Sequence, residues 1–221
     1  MIKLIENNGD LEVFCRSLAV EPFITVDLEF LREKTYYAKL CLIQVGSQHE
    51  CAIIDPLAPE MNLQPFFELM DNPQIVKVFH AGRQDLEIIY FMHHRIPAPL
   101  FDTQVAAQVC GYGESVGYET LVNSLLNLEL DKSFRFTNWE ARPLDKRQLE
   151  YAICDVTHLV PIYLKLQDIL KQTGREGWVK EEIEHLSDPS VYETNPLDVW
   201  QKIKHRSHNA RFLTLLRELA A

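Results

Sequence analysis

Residues 23–30, Phe-Ile-Thr-Val-Asp-Leu-Glu-Phe, alternate in the manner of a β-strand. In an extended chain Phe23, Thr25, Asp27 and Glu29 point to one side, and Ile24, Val26, Leu28 and Phe30 to the other. Asp27 and Glu29 therefore share one face at the end of an apolar strand. Carboxylates are seldom buried without partners. Two on one face after a core strand suggest a divalent-cation site, because hard cations take oxygen ligands. The stretch alone allows a second reading, a strand running out into a charged loop.

The rest of the chain can house such a strand. Its 221 residues are enough for one full core with a small appendage. A content of 47% apolar and 24% charged residues is ordinary for a globular protein. No apolar run approaches the roughly 20 residues of a membrane helix. The N-terminus lacks the basic start and apolar run of a secretory signal. The expectation is a cytoplasmic protein with no membrane partner. The five cysteines are widely spaced without a Cys-x-x-Cys pair, which argues against a disulfide framework or zinc knuckle. The net charge of −10 counts against nucleic-acid binding driven by overall charge. It leaves room for an acidic, metal-offset site with local basic residues.

Working outward, Ile2–Ile5 is a predicted strand, followed by a helix from Asp10, as N-cap, to Leu18. After the 23–30 strand, Lys39–Val45 and Glu50–Ile54 predict two more strands on short connections, hence an antiparallel meander. Asn62–Met70 is a predicted helix, Gln74–Phe79 a strand and Arg83–His93 a helix, the last two forming half of a crossover unit. Leu100–Asp102 and Thr103–Cys110 repeat the strand-then-helix order. Beyond Gly117 only helices are predicted: Tyr118–Leu126, a helix capped by Asp145 running toward Asp155, its continuation Val156–Gln172 broken or kinked at Pro161, and Glu176–Leu186. This order predicts an α/β fold with a mixed sheet flanked by helices and a helical C-terminal part.

Four acids stand out by position: Asp27, Glu29, Asp85 and Asp155. Tyr151 lies four residues before Asp155, on the same helix face. Taken singly, Asp85 and Asp155 could be solvated helix residues. Together with their surroundings they carry a resemblance. Val-Asp-Leu-Glu-Phe at 26–30, His-Ala-Gly-x-x-Asp-Leu-Glu at 80–87 and Tyr-Ala-x-x-Asp at 151–155 resemble the three motifs of the DEDD 3′-5′ exonucleases, in the branch marked by the tyrosine, DEDDy. Leu-Ile-Gln at 42–44, Ile-Asp-Pro-Leu at 54–57 and Phe-Asp-Thr-Gln at 101–104 extend the likeness to the ribonuclease D family. The resemblance implies an RNase H-like fold. It implies 3′→5′ hydrolysis of single-stranded RNA ends, as in trimming of tRNA or other structured RNAs. It implies two divalent ions, Mg²⁺ or Mn²⁺, held by Asp27, Glu29, Asp85 and Asp155, with Tyr151 orienting the attacking water. Four converging carboxylates make physical sense only with cations or with protons taken up, since like charges about 4 Å apart repel by roughly 4 kcal/mol at an effective dielectric near 20.

Residues 132–147 interleave Lys132, Arg135, Arg142, Lys146 and Arg147 with Phe134, Phe136 and Trp139. The aromatics are expected to pack onto the core. Lys132 and Arg142 are expected to meet an RNA backbone, as cations beside single strands do. Leu28 and His80 complete the substrate-contact candidates. The domain expectation is a nuclease domain over 1–187, a linker over 188–196, and over 197–221 an amphipathic segment resembling the incomplete start of an HRDC domain. No obligate protein partner is inferred. The competing readings are a proofreading-like exonuclease acting on DNA and a non-catalytic RNA-binding relative. A phosphatase using Asp27 as nucleophile is a more distant one.

Overall fold

The computed structural model describes residues 2–32, 35–130, 137–193, 200–201, 203–207 and 209–220. Two compact units divide the chain, Met1–Ser187 and Asp188–Ala221.

The first unit is built on a six-stranded sheet. Its strands are β1 (Leu4–Ile5), β2 (Phe23–Leu31), β3 (Lys39–Gly46), β4 (Cys51–Ile54), β5 (Val76–Phe79) and β6 (Leu100–Asp102), in spatial order β1-β4-β3-β2-β5-β6. The expected meander is present: β2 pairs antiparallel with β3, and β3 with β4. On its other side β2 pairs parallel with β5, and β5 with β6. The sheet is therefore mixed: β2 is the seam between the antiparallel meander and a parallel half made with β5 and β6, and β1 pairs parallel with β4 at the other edge. The pairing puts Thr25 opposite Gly46, Asp27 opposite Gln44 and Glu29 opposite Leu42. The register slips between Glu29 and Phe30, a bulge of the kind that re-aims side chains at strand ends.

Helices α1 (Asn8–Leu18), α2 (Gln64–Asp71), α3 (Arg83–His93), α4 (Thr103–Val109), α5 (Tyr118–Leu126), α6 (Lys146–Thr173) and α7 (Glu176–Leu186) complete this unit. Three sequence expectations need correction. The N-cap of α1 is Asn7, whose side chain accepts from the Asp10 amide, so the helix starts one turn early. The two helical segments around Asp155 are one helix of 28 residues. Pro161 removes a single backbone bond, and α6 runs on to its Gly174 C-cap, where φ is +66°. In the second unit, helix α8 (Ala210–Ala220) begins well after Leu197, with Asn209 Oδ1 accepting from the Arg211 amide at 2.9 Å.

One part of the core lies between the sheet and α6. Leu42 and Ile53 from the sheet pack with Ala152, Ile153 and Val156 of α6 and with Trp139, which is only 3% exposed. The expectation that Trp139 serves packing holds. A buried lysine is also accommodated. Lys77 of β5 donates its three ammonium protons to the carbonyls of Asn72 (2.6 Å), Ile75 (2.9 Å) and Ala98 (2.5 Å), tying the start of the parallel half together. Among the described residues no helix is long and apolar enough to cross a membrane.

Candidate active site

Three elements bring the acids together. β2 supplies Asp27 and Glu29 on the face toward α6. That helix is pinned to the sheet by Thr25, whose hydroxyl donates to the Val156 carbonyl at 2.9 Å. Gly46, opposite Thr25, permits the close approach. A Cβ built there meets Thr25 Oγ1 at 2.8 Å and Val156 Cβ at 3.4 Å. Gly46→Ala is therefore expected to overpack this contact. A loss of about 1–3 kcal/mol, read as a lower melting temperature, is the expected result; an unchanged melt would mean that α6 is not seated this tightly. Tyr118, at the start of α5, anchors the other side. Its hydroxyl donates to the Asp155 carbonyl at 2.6 Å.

Asp85 enters from the parallel half. A turn at His80-Ala81-Gly82 leads from β5 into α3, with Ala81 at φ +53°. Asp102, at the end of β6, holds this turn. Its carboxylate accepts from the amides of Ala81 (3.1 Å) and Gly82 (2.8 Å), and also caps α4 through Gln104 (2.8 Å) and Val105 (3.3 Å). Gly82 has no room for a side chain, since a Cβ would lie 2.6 Å from Phe79 Cβ.

The result is a cleft of about 490 Å³ lined by Asp27, Glu29, Asp85, Tyr151, Asp155 and Tyr118, with Leu28 and His80 also on its wall. Carboxylate oxygens of Asp27, Glu29 and Asp155 lie within 4.8 Å of one another. Asp85, 7% exposed, sits beside Asp27 and outside that tight group. Burial pushes the Asp27 carboxyl up to about 7, with the Leu28 amide opposing. Burial, then the charges of Asp27, Asp155 and Asp85, push Glu29 to about 10. Asp85 and Asp155 are raised well above the carboxylate range, by burial first and by Asp27 second. A purely protein environment thus favours protons on these groups. A clustered set of hard oxygen donors that resists ionising on its own is the donor chemistry that suits a divalent cation.

Residues 2–171 match a family described as 3′-5′ exonuclease. The chain belongs to this 3′-5′ exonuclease family. Members of the family depend on divalent metal ions. Within the exonuclease family the chain is 50% identical over 219 residues to ribonuclease D of Sphingobium indicum, an alignment covering 99% of this chain and 56% of that protein. It is 48% identical over 218 residues to ribonuclease D of Granulibacter bethesdensis, covering 99% and 55%. The crystal structure of Escherichia coli RNase D superposes with a TM-score of 0.90 at 33% identity, covering all of this chain and 59% of that one. The fold is thus the RNase H-like fold of these exonucleases. The chain spans about half the length of the curated relatives it matches.

The cleft gathers Asp27, Glu29, Asp85, Tyr151, Asp155, Leu28 and His80, all of them residues singled out from the sequence. It does not gather Arg142, which is committed elsewhere. Its Nε and Nη2 donate to the two carboxylate oxygens of Asp55, at 2.6 and 2.7 Å, and Nη2 also to the Cys41 carbonyl at 2.9 Å. Arg142 ties the segment after Trp139 onto the sheet, so its assignment to substrate is corrected here. Lys132 lies outside the described residues. His80 is half-buried, its Nδ1 3.0 Å from Thr103 Oγ1, and burial lowers its pKa. Sequence reasoning missed Tyr118 and Asp102. Asp102 left a signal, an N-cap residue between a strand and a helix; Tyr118 left none.

Proposed function

We propose that the chain is the catalytic part of a 3′-5′ exoribonuclease of the ribonuclease D type, acting on single-stranded RNA 3′ ends. The observation that carries this reading is the convergence of four carboxylates and Tyr151 in one cleft. Asp27, Glu29, Asp85 and Asp155 would hold two divalent ions, Mg²⁺ or Mn²⁺. Bound there, such ions would supply Lewis-acid stabilisation of the attacking and leaving oxygens of a phosphodiester. The chain's own part is positioning. Tyr151, a turn before Asp155 on α6, presents its hydroxyl to orient the attacking water. A phenol with an ordinary pKa of about 10 works better as an orienting group than as a base at neutral pH. Leu28 lies between the two acids of β2 on the cleft wall. Its side chain is buried on the opposite face of the strand, so its backbone would meet the terminal nucleotide. His80 flanks it on the α3 side.

The relatives named ribonuclease D support RNA as substrate, and the E. coli protein is described as an exoribonuclease involved in structured RNA processing. Trimming of tRNA or another structured RNA is the corresponding role for this chain. The division of the chain after Ser187 supports a nuclease domain over residues 1–187. The helical character of α8 supports reading 197–221 as the opening of an HRDC-type domain.

The test uses 5′-labelled single-stranded RNA and matched DNA, with Mg²⁺, with Mn²⁺ and with chelator. A ladder shortening from the 3′ end only with metal, faster on RNA, is expected. Tyr151→Phe should slow it about a hundredfold or more while still binding RNA. Faster shortening of DNA would point to the proofreading-like activity. Metal-independent RNA binding without shortening would point to a non-catalytic relative.

A further inference from the structure

Gln44 is an anomaly in the wall behind the acids. It is 0% exposed, and neither its Nε2 nor its Oε1 has a hydrogen-bond partner. A buried amide with both ends unpaired is costly, and native folds seldom keep one without a reason. On its β4 side the surroundings under α6 are apolar. Gln44 lies opposite Ile53 on β4, and Leu42 and Ile53 pack against Ala152 and Val156. On its other side it stands directly opposite Asp27. Such cross-strand partners have Cβ atoms about 4.5–5.5 Å apart and side chains on the same face, so a glutamine amide can reach a facing carboxylate.

We infer that Gln44 is a positioning residue for Asp27. Its amide N–H donates to one carboxylate oxygen of Asp27 when that carboxylate is ionised and engaged with metal, leaving the other oxygen presented to the cleft. The inference rests on the metal-site reading of the cleft. Its physical basis is general: ligating carboxylates are themselves hydrogen-bonded from behind, and losing that support typically weakens metal affinity about 10–100-fold. Gln44 is placed to do this from the interior, where water cannot substitute for it. It touches neither substrate nor reacting atoms.

A positioning role and a merely misfit buried amide predict opposite Mn²⁺ affinities for Gln44→Met, which keeps the volume and removes both polar atoms. Mn²⁺ binding is followed by electron paramagnetic resonance on the full chain, beside thermal melts with and without Mn²⁺. If Gln44 positions Asp27, the variant melts no lower than wild type in chelator, binds Mn²⁺ about tenfold or more weakly, and gains less thermal protection from Mn²⁺. Unchanged Mn²⁺ affinity in a folded variant would overturn the inference. Should the methionine variant not fold, Gln44→Asn, which withdraws the amide by one methylene, is read by the same criteria. Wild type and Asp155→Asn serve as references. Wild type that binds no Mn²⁺ would overturn the metal-site reading and this inference with it. Wild type that binds, with Gln44→Met equal to it, would overturn only this inference.

Discussion

Asp155→Asn is expected to raise the melting temperature of the metal-free protein while removing 3′ shortening of RNA. Asp27, Glu29 and Asp155 converge within 4.8 Å. Two charges about 4 Å apart repel by roughly 4 kcal/mol at an effective dielectric near 20. Proton uptake and water relieve part of that repulsion, so a gain of about 1–3 kcal/mol is expected, or about 2–12 °C for a chain of this length. Activity should fall on the order of a thousandfold, because several kcal/mol of charge stabilisation go with the ligand. The pH dependence has a definite sign. Below about pH 3 these carboxyls are protonated in both folded and unfolded chains and add no pH dependence. As pH rises, the unfolded chain releases its protons while folded Asp27 holds its own up to about 7 and Glu29 up to about 10. Metal-free stability therefore declines across that window. Mg²⁺ opposes the decline, since it binds the ionised carboxylates. Melts from pH 5 to 9, in chelator and in Mg²⁺, read both effects. A variant that melts lower than wild type in chelator would mean the acids are not in electrostatic conflict.

Arg142→Ala is expected to be among the most destabilising single changes in the first unit. Asp55 is 2% exposed and loses both arms of its partner. Removing one member of a buried ion pair costs about 3–5 kcal/mol. The Arg142 side chain is 27% exposed, which places the expected loss near the lower end, about 3 kcal/mol, or a fall of about 6–12 °C. Arg142→Lys keeps the charge but not the fork, and should fall between the two. RNA affinity per folded molecule at low salt should not change. A normal melt with weakened RNA binding would instead return Arg142 to the substrate path.

That reassignment marks where sequence reasoning stops. A cation among aromatics reads alike whether it faces RNA or a carboxylate 87 positions earlier in the chain. The alternation at 23–30 was legible because a strand exposes its period directly, and the helices from Arg83, Tyr118 and Glu176 span the residues the sequence predicted for them. Pro161 misled because a long helix packed along a sheet tolerates the loss of one backbone bond. Asp10 and Asn7 are both good caps, and only the backbone chooses between them. Asp27, Glu29, Asp85, Tyr151 and Asp155 announced themselves as motifs. What holds them did not. Gly46 looks like the end of any strand, Tyr118 like any helical aromatic, and Gln44 like a surface position of a half-exposed strand.

Asp102 ties the beginnings of two helices to one side chain. Ala81 and Gly82 belong to one crossover, Gln104 and Val105 to the next, and all four amides end on the same carboxylate. The two helix starts cannot fray independently without abandoning a shared acceptor. They form one cooperative unit in the sense of native-state opening. In a hydrogen-exchange experiment these four amides should report a single protection value and lose it together in Asp102→Ala. Asp85, three residues beyond Gly82, then owes its placement in the cleft to the closing of a strand at the far edge of the sheet.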